Sequence, residues 1–233
     1  IPQLADGQRL MTMASLLHID ARGQALLPAL IQSSGIDTDT WLRHYLTCYM
    51  SPLLHCFYAH DLVFMPHGEN LILVFENNIP VRAIMKDIAE EVAILNTEVV
   101  LADQVQRLKV AVDEDLKILS IFTDLFDCIF RYINHILVEH SDYPEERFWG
   151  LVADTIKRYQ RAHPELSDKF ARYDLFAPEF TLSCLNRLQQ GNNQQMVDLA
   201  DPTKNLKFVG TLKNPIAEFK EEVAVDEASL AEA

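Results

Sequence analysis

Basic side chains are scarce in this chain. Its 233 residues include 20 Lys and Arg against 34 Asp and Glu, which leaves a formal net charge of −14. Proteins that bind nucleic acid need a basic face to neutralise the phosphates. The composition therefore argues against nucleic acid as the main partner.

Long apolar runs are also absent. A membrane-spanning helix needs roughly 20 apolar residues in sequence. The longest candidate, residues 116–138, is interrupted by charged or polar side chains at Asp124, Asp127, Arg131 and His135. The first residues lack the charged segment of a signal peptide. We therefore predict a cytoplasmic protein without a membrane partner.

Glycine and cysteine are few. Only 7 glycines are present, which excludes a fibrous or low-complexity protein. The four cysteines form no C-x-x-C pair and stand at Cys48, Cys56, Cys128 and Cys184. This spacing predicts reduced, buried thiols rather than a zinc or redox site.

Helical patterns occupy most of the chain. After Asp37, a plausible N-cap, apolar residues recur at helical spacing as far as residue 58. Pro52 is expected to kink this helix or to split it in two. Further helices are predicted at two short patterns within 10–33, at 98–111, 115–139, 145–161, 166–173 and 178–190. Residues 205–212 are predicted to form a strand or an extended arm.

Two β-rich runs stand apart from these helices. Residues 71–76 and 80–86 flank Asn77-Asn78, and Asn tolerates the positive φ of a two-residue hairpin turn. The predicted fold is α+β, mostly α-helical, with a small antiparallel sheet built around this hairpin. Residues 1–216 are predicted to form one compact unit, and 217–233 an acidic, flexible tail.

The hairpin brings together groups that suit a metal and a phosphate. With a regular ladder, Glu76 pairs with Ile79, which places Asn70 and Asp87 on one face as diagonal neighbours. An amide oxygen and a carboxylate there suit Mg²⁺, which takes few protein ligands and completes its shell with phosphates and water. His67 can donate to a phosphate, and Gly68 lets the backbone approach a ligand.

Simpler interpretations exist for each residue. His67 before a strand is more often a satisfied turn residue, and Asp87 could cap the next helix. His55 and His60 lie five positions apart on one helix, outside the i, i+4 spacing of a metal pair. We therefore assign them no role, and the same holds for the other scattered histidines.

The segment FMPHGENLILVFENNIPVRAIMKD, residues 64–87, resembles the C-terminal half of the NRPS-independent siderophore synthetases, the IucA/IucC family. That family carries His-Gly-[Gln/Glu]-Asn, two strands around a turn and an Arg/Lys-Asp pair. The segments WLRHYLTCYMSPLLHCFYAHDLVF and LNRLQQGNNQQMVDLADP are also similar to it. Glu69 and the stretch MKDIAEE favour the desferrioxamine, alcaligin or putrebactin branch.

The resemblance implies an ATP-dependent ligase that adenylates a carboxylate and passes the acyl group to an amine of hydroxamate type. It implies that His67 and Lys86 act on the nucleotide phosphates. It also implies that Glu69 and Asn70 line the nucleotide site, and that Asn70 and Asp87 bind Mg²⁺. A homodimer is the expected assembly.

The resemblance covers only part of such an enzyme, roughly residues 8–216 here. The Ser/Thr-Arg-Thr-type phosphate segment of the N-terminal half is missing, and the chain begins with Ile. We therefore expect a C-terminal, palm- and thumb-like fragment with half an active site and no ligase activity alone. Two alternatives stay open: a kinase-like phosphotransferase, and a non-catalytic ferric-siderophore-binding or reductase module.

Overall fold

A long helix and a small β-sheet organise the molecule. The computed structural model describes residues 3–88, 92–183 and 208–220. The helices are α1 Leu26–Ser34, α2 Thr38–His60, α3 Leu119–Ile121, α4 Arg131–Ser141, α5 Glu145–Ala162 and α6 Ser167–Arg172. The strands are β1 Gln8–Thr12, β2 Leu62–Phe64, β3 Leu71–Glu76, β4 Ile79–Met85, β5 Val92–Ile94, β6 Glu179–Ser183 and β7 Phe208–Lys213. Short 3-10 turns occupy Met13–Leu17, Asp103–Leu108, Glu114–Leu116, Pro164–Leu166 and Ala217–Phe219.

Helix α2 forms the centre of the core. The Asp37 side chain accepts from the backbone N–H of Thr40 at 3.0 Å, which confirms the predicted N-cap. The helix is one element of 23 residues with Pro52 inside it, so of the two predicted effects of Pro52, a kink or a split, the split does not occur. Leu53 and Leu54 are both buried, and this packing holds the two halves together across the missing hydrogen bond.

An aromatic column runs along the buried face of α2. The rings of Trp41 and Tyr45 stack at 6.0 Å, and those of Tyr45 and Tyr49 at 5.5 Å. Phe130 meets Tyr49 edge-on at 5.9 Å. Such pairs stabilise a core beyond the area that they bury. The column thus ties α2 to the helical segment that ends in Phe130.

The segment predicted as a helix over 115–139 is helical and largely buried. It runs from α3 through a π-helical stretch, Phe122–Phe130, into α4. The predicted helices at 145–161 and 166–173 are confirmed by α5 and α6. The predicted helix at 98–111 is wrong in extent, because only the 3-10 turn Asp103–Leu108 forms there.

The hairpin is confirmed, and its turn residues Asn77 and Asn78 have φ of 50° and 65°. Its register differs from the prediction. Phe75 pairs with Pro80, but Val74 pairs with Arg82, so Val81 is an extra residue in a β-bulge.

Proline cannot donate to a ladder and is tolerated on edge strands and at bulges. Strand β4 is such an edge, since the sheet order is β1-β3-β4. Strand β1, which pairs with β3 from Gln8↔Glu76 to Thr12↔Ile72, was not predicted.

The end of the chain departs further from prediction. Glu179–Ser183 is strand β6 rather than the start of a helix, because it pairs with β7. The predicted strand at 205–212 is confirmed by β7, Phe208–Lys213. The rest of the predicted helix at 178–190 lies outside the described residues. The predicted flexible tail at 217–233 is wrong at its start, because Ala217–Phe219 form a 3-10 turn; the residues beyond 220 lie outside the described residues.

One contiguous core links these elements, and it includes residues of α2, β3, the π-helical stretch and α5. No helix among the described residues is both long and apolar enough to span a membrane.

Candidate functional site

The loop between β2 and β3 carries the predicted site residues. Its backbone is anchored at Pro66, whose carbonyl accepts from the buried Tyr49 hydroxyl at 2.8 Å. The N–H of Asn70 donates to the carbonyl of His67 at 3.0 Å, which closes a tight turn. The aromatic column of α2 therefore supports the loop through the hydroxyl of Tyr49.

Gly68 lies against the protein's own backbone. Its carbonyl accepts from the N–H of Ala14 at 2.9 Å. A Cβ on Gly68 would stand 2.9 Å from Cα of Ala14. The close approach that we predicted for a ligand is thus made by the 3-10 turn Met13–Leu17, and this part of the prediction is wrong.

Asn70 and His67 are brought together directly. The Nδ2 atom of Asn70 lies 3.2 Å from Nε2 of His67 and 3.2 Å from the carbonyl oxygen of Met65. The Asn70 side chain is buried, His67 is half-buried, and Glu69 is exposed. A buried amide thus connects the loop to the histidine that we predict to face the nucleotide.

Lys86 and Asp87 form an ion pair at the end of β4, with Nζ 2.6 Å from Oδ2. The backbone N–H of Lys86 donates to the carbonyl of Asn70 at 2.9 Å. Asn70 is therefore opposite Lys86, and the predicted placement of Asn70 and Asp87 on one face is wrong. The extra residue Val81 shifts every later pair by one.

The end of the hairpin differs from expectation in a second way. Asp87 has a left-handed φ of 57°, whereas a helix N-cap is extended, and the next element among the described residues is strand β5. Residues 89–91, which include Glu90 and Glu91, lie outside the described residues. Within the described ranges, no group of three His, Cys, Asp or Glu side chains is arranged to hold a metal ion.

Three of the four predicted free thiols lie in the described residues. Cys48, Cys56 and Cys128 are free and partly buried, and Cys184 lies outside the described residues. Burial raises the pKa of the Cys48 thiol to about 12 and that of Cys128 to about 11. A thiol held in its protonated form is a poor nucleophile and a poor metal ligand.

Sequence reasoning missed a histidine cluster at the shared end of α2 and α5. The ring of His55 lies 5.2 Å from that of His60 and 5.2 Å from that of His163. His55 Nδ1 is 3.1 Å from the Tyr159 hydroxyl, and His163 Nδ1 is 2.9 Å from Oε1 of Glu165. Spacing along one helix does not reveal this cluster, because its third ring belongs to His163, the residue directly after α5.

A second missed feature is an open groove of about 650 Å³ beside α5. At its rim, Asp39 accepts from the Tyr143 hydroxyl at 2.5 Å and from Arg147 Nε at 2.7 Å. The hydrogen bond from Arg147 is the main cause that lowers the pKa of Asp39. Phe219 and Gly150 also line the groove. The hydrogen bonds of Asp39 with Tyr143 and Arg147 connect α2 to the start of α5.

A protein-family model matches the central part of the chain. The family described as FhuF, ferric iron reductase FhuF-like transporter, matches residues 39–198, more than half of the chain.

Curated relatives share a different description. The chain is 55% identical over 221 residues to putrebactin synthase of Shewanella sp. strain MR-4, which covers 95% of this chain and 35% of that protein. It is 31% identical over 220 residues to the rhizobactin siderophore biosynthesis protein RhbF of Rhizobium meliloti, covering 93% and 36%. The chain thus spans about a third of the length of the curated relatives it matches.

A solved structure has the same fold. Aerobactin synthetase IucC from a hypervirulent pathotype of Klebsiella pneumoniae superimposes with a TM-score of 0.77 at 25% identity. The match covers 94% of this chain and 38% of that one.

Proposed function

Because the chain belongs to the NRPS-independent siderophore synthetases, the IucA/IucC family, and over residues 39–198 to the FhuF-like family, we propose that it supplies the C-terminal half of a Mg-ATP site. The whole enzyme would activate a carboxylate with ATP and join it to an amine. In the first step a carboxylate oxygen bonds to the α-phosphorus and pyrophosphate leaves. In the second the amine nitrogen bonds to the acyl carbon and AMP leaves.

The loop and the hairpin end supply the phosphate ligands in this proposal. His67 offers a ring N–H to the nucleotide phosphates, and Lys86 offers a cation whose side chain is 37% exposed. Glu69 and Asn70 line the nucleotide site. The charge that develops on the leaving phosphates is stabilised by donors that are already in place. The observation that carries the proposal is the contact of His67 with the buried Asn70, next to the Lys86–Asp87 pair.

The donor set fits Mg²⁺. The ion prefers hard oxygen ligands, often one or two from protein, and fills its shell with phosphates and water. The Asp87 carboxylate is of this type, and its side chain is 53% exposed. When bound, Mg²⁺ would act as a Lewis acid at the phosphates.

The test is ATP–pyrophosphate exchange by a synthetase of the relatives' full length that contains this chain. Asp87→Ala is expected to lower the exchange rate at least 100-fold, on the order of the loss of one strong transition-state electrostatic group. Asp142→Ala is the matched control, since Asp142 also has a left-handed φ, 51°, and is exposed. Exchange that survives in Asp87→Ala, or falls equally in both variants, would contradict the metal assignment.

The same assay separates a kinase-like phosphotransferase from a ligase. Release of AMP supports the ligase, and release of ADP supports phosphotransfer. The isolated chain is expected to catalyse no exchange, because it spans about a third of the relatives. Exchange by the isolated chain at the rate of the whole enzyme would contradict the assignment of half a site.

The substrates and assembly extend the same proposal. Putrebactin synthase, the 55% identical relative, supports a hydroxamate-bearing amine and a carboxylate as the substrate classes. A cytoplasmic location follows from the need for ATP. A homodimer of the whole enzyme is expected, and sedimentation of the full-length protein at twice its monomer mass would support it.

A second candidate is a module that binds or reduces a ferric siderophore, which the description of the matching family model favours. Against it, burial raises the pKa of the Cys48 and Cys128 thiols to about 12 and about 11, which makes both of them poor metal ligands. Reduction of a ferric hydroxamate by the chain with a chemical electron donor, or an iron–sulfur absorbance band, would favour this candidate over the ligase.

A further inference from the structure

The amide of Asn70 makes two contacts through one atom. Its Nδ2 lies 3.2 Å from the Met65 carbonyl oxygen and 3.2 Å from Nε2 of His67. A carbonyl oxygen only accepts hydrogen bonds, and an amide nitrogen only donates them. The Met65 contact therefore determines the orientation of the amide group, with Nδ2 towards the Met65 carbonyl oxygen.

The second contact then decides where the proton of His67 is. The amide nitrogen carries two hydrogens, and one of them points to Met65. The other can bind Nε2 of His67 only if Nε2 is unprotonated, because two donors cannot share a bond. In a neutral imidazole the proton is then on Nδ1.

The Asn70 side chain has little freedom to turn away from this arrangement. It is 3% exposed. Its backbone is held on both sides, since its N–H donates to the carbonyl of His67 at 3.0 Å and its carbonyl accepts from Lys86 at 2.9 Å. Turning the amide over would place its oxygen against the Met65 carbonyl and leave a buried polar group unsatisfied.

The ring nitrogen of His67 that Asn70 does not contact is Nδ1. Among residues 3–88, 92–183 and 208–220, none donates to or accepts from Nδ1 of His67. The ring is half-buried, so it retains contact with solvent. A protonated Nδ1 is a donor without a partner in the described part of the chain, which suits it to an anionic oxygen.

We propose that Asn70 is a positioning residue that keeps Nε2 of His67 as a hydrogen-bond acceptor, so that the ring carries its proton on Nδ1 and can donate it in a hydrogen bond to a phosphate oxygen. That the hydrogen bond goes to a phosphate rests on the proposed function. Which ring nitrogen carries the proton does not, because it follows from the contacts of Asn70 alone. The role differs from that of a metal ligand, since it uses Nδ2 rather than the amide oxygen.

The first test is ring ¹⁵N NMR of this chain at pH 8, with the His67 signals identified by their loss in His67→Gln. The expected spectrum has a protonated Nδ1 and an unprotonated Nε2. This is the minority tautomer of free histidine, so its presence needs a cause. A protonated Nε2 in the unsubstituted protein would overturn the proposal without any variant.

Two substitutions test the cause. Asn70→Asp replaces the donor with a carboxylate, which accepts, so the proton is expected to move to Nε2. Asn134→Ala is the matched control, because Asn134 is also a buried amide, 5% exposed, but donates to Glu145 instead. It is expected to leave the His67 spectrum unchanged. An unchanged tautomer in a folded Asn70→Asp protein would overturn the proposal.

The second test measures catalysis by the full-length synthetase. Asn70→Asp is expected to lower kcat/KM for ATP about 10- to 100-fold, the usual loss when the partner that orients a functional histidine is altered. Unchanged kcat/KM together with a shifted tautomer would overturn the donation to phosphate. If the unsubstituted enzyme shows no pyrophosphate exchange, the proposed function is wrong. The NMR experiment still tests the tautomer independently.

Discussion

At the scale of single residues, the loop before β3 gains its shape from neighbours that are distant in sequence. Gly68 accepts a hydrogen bond from Ala14, and Pro66 accepts one from Tyr49. The 3-10 turn Met13–Leu17 thus occupies the space that we expected a ligand to use. The conformation of His67 and Asn70 depends on these contacts, so a substitution that disturbs them should also change the conformation of the site.

Gly68→Ala is predicted to destabilise the chain by about 1–3 kcal/mol, the usual range for overpacking. The added Cβ would stand 2.9 Å from backbone Cα of Ala14, which cannot move like the end of a side chain. Urea denaturation of the chain measures the effect.

The matched control is Gly150→Ala within helix α5. Its added Cβ would meet only the Phe219 ring at 3.4 Å, an ordinary contact distance. Alanine favours a helix interior over glycine, so a gain of up to about 1 kcal/mol is expected. Equal losses in the two variants would show that Gly68 has no special contact with Ala14.

At the scale of elements, α2 and α5 are joined at both ends. Near the start of each helix, Asp39 accepts from Tyr143 and Arg147. At the far ends, the rings of His55 and His163 lie 5.2 Å apart. The helices therefore present their aromatic faces to the core in one defined alignment.

The Asp39 contact predicts a specific dependence of stability on pH. The Arg147 hydrogen bond lowers the pKa of Asp39, so the carboxylate stabilises the folded state at neutral pH. This contribution is complete above the usual carboxyl pKa, about 4, and is lost as the pH falls through the lower folded value. Asp39→Asn should therefore lose about 1 kcal/mol at pH 7.

The measurement is the free energy of unfolding of both proteins from pH 7 down to pH 3. The difference between them should persist to about pH 5 and shrink below about pH 4. Asp154→Asn is the matched control, because its ion pair with Arg43 is 3.7 Å long and exposed. It should change stability little. A difference for Asp39→Asn that grows on acidification would refute the interpretation.

At the scale of the whole molecule, one core joins the sheet, the long helix and the π-helical stretch. Phe130 lies where these parts meet. It is fully buried and contacts the rings of Tyr45, Tyr49, Phe148 and Trp149. A domain has only about 5–15 kcal/mol of net stability, so the loss of one such ring is a large fraction of it.

Phe130→Ala is predicted to cost about 3–5 kcal/mol, because a cavity replaces the ring. Tyr132→Ala is the control from the same helical segment, since Tyr132 is 44% exposed and contacts Arg131 on the surface. It should cost less than about 1 kcal/mol. Thermal unfolding by circular dichroism distinguishes them, and similar shifts in Tm would contradict the central place of Phe130.

Local patterns in the sequence determined a large part of this protein. The helical spacing after Asp37 and the Asn77-Asn78 turn each depend on neighbours within a few positions, so they could be predicted. The segment 64–87 and two further segments were enough to indicate the family, because these motifs can be recognised from the order of their residues alone.

The tertiary structure alone decided which groups meet. The bulge at Val81 moved Asn70 opposite Lys86, one position out of step with the register that would put it on the face of Asp87, and nothing in an alternating strand pattern predicts one extra residue. The contact between Nδ2 of Asn70 and Nε2 of His67 depends on the hydrogen bonds that fix the loop to Tyr49 and Ala14. Such contacts join segments that pack only after folding, so hydrogen-bond geometry, rather than periodicity, determines them.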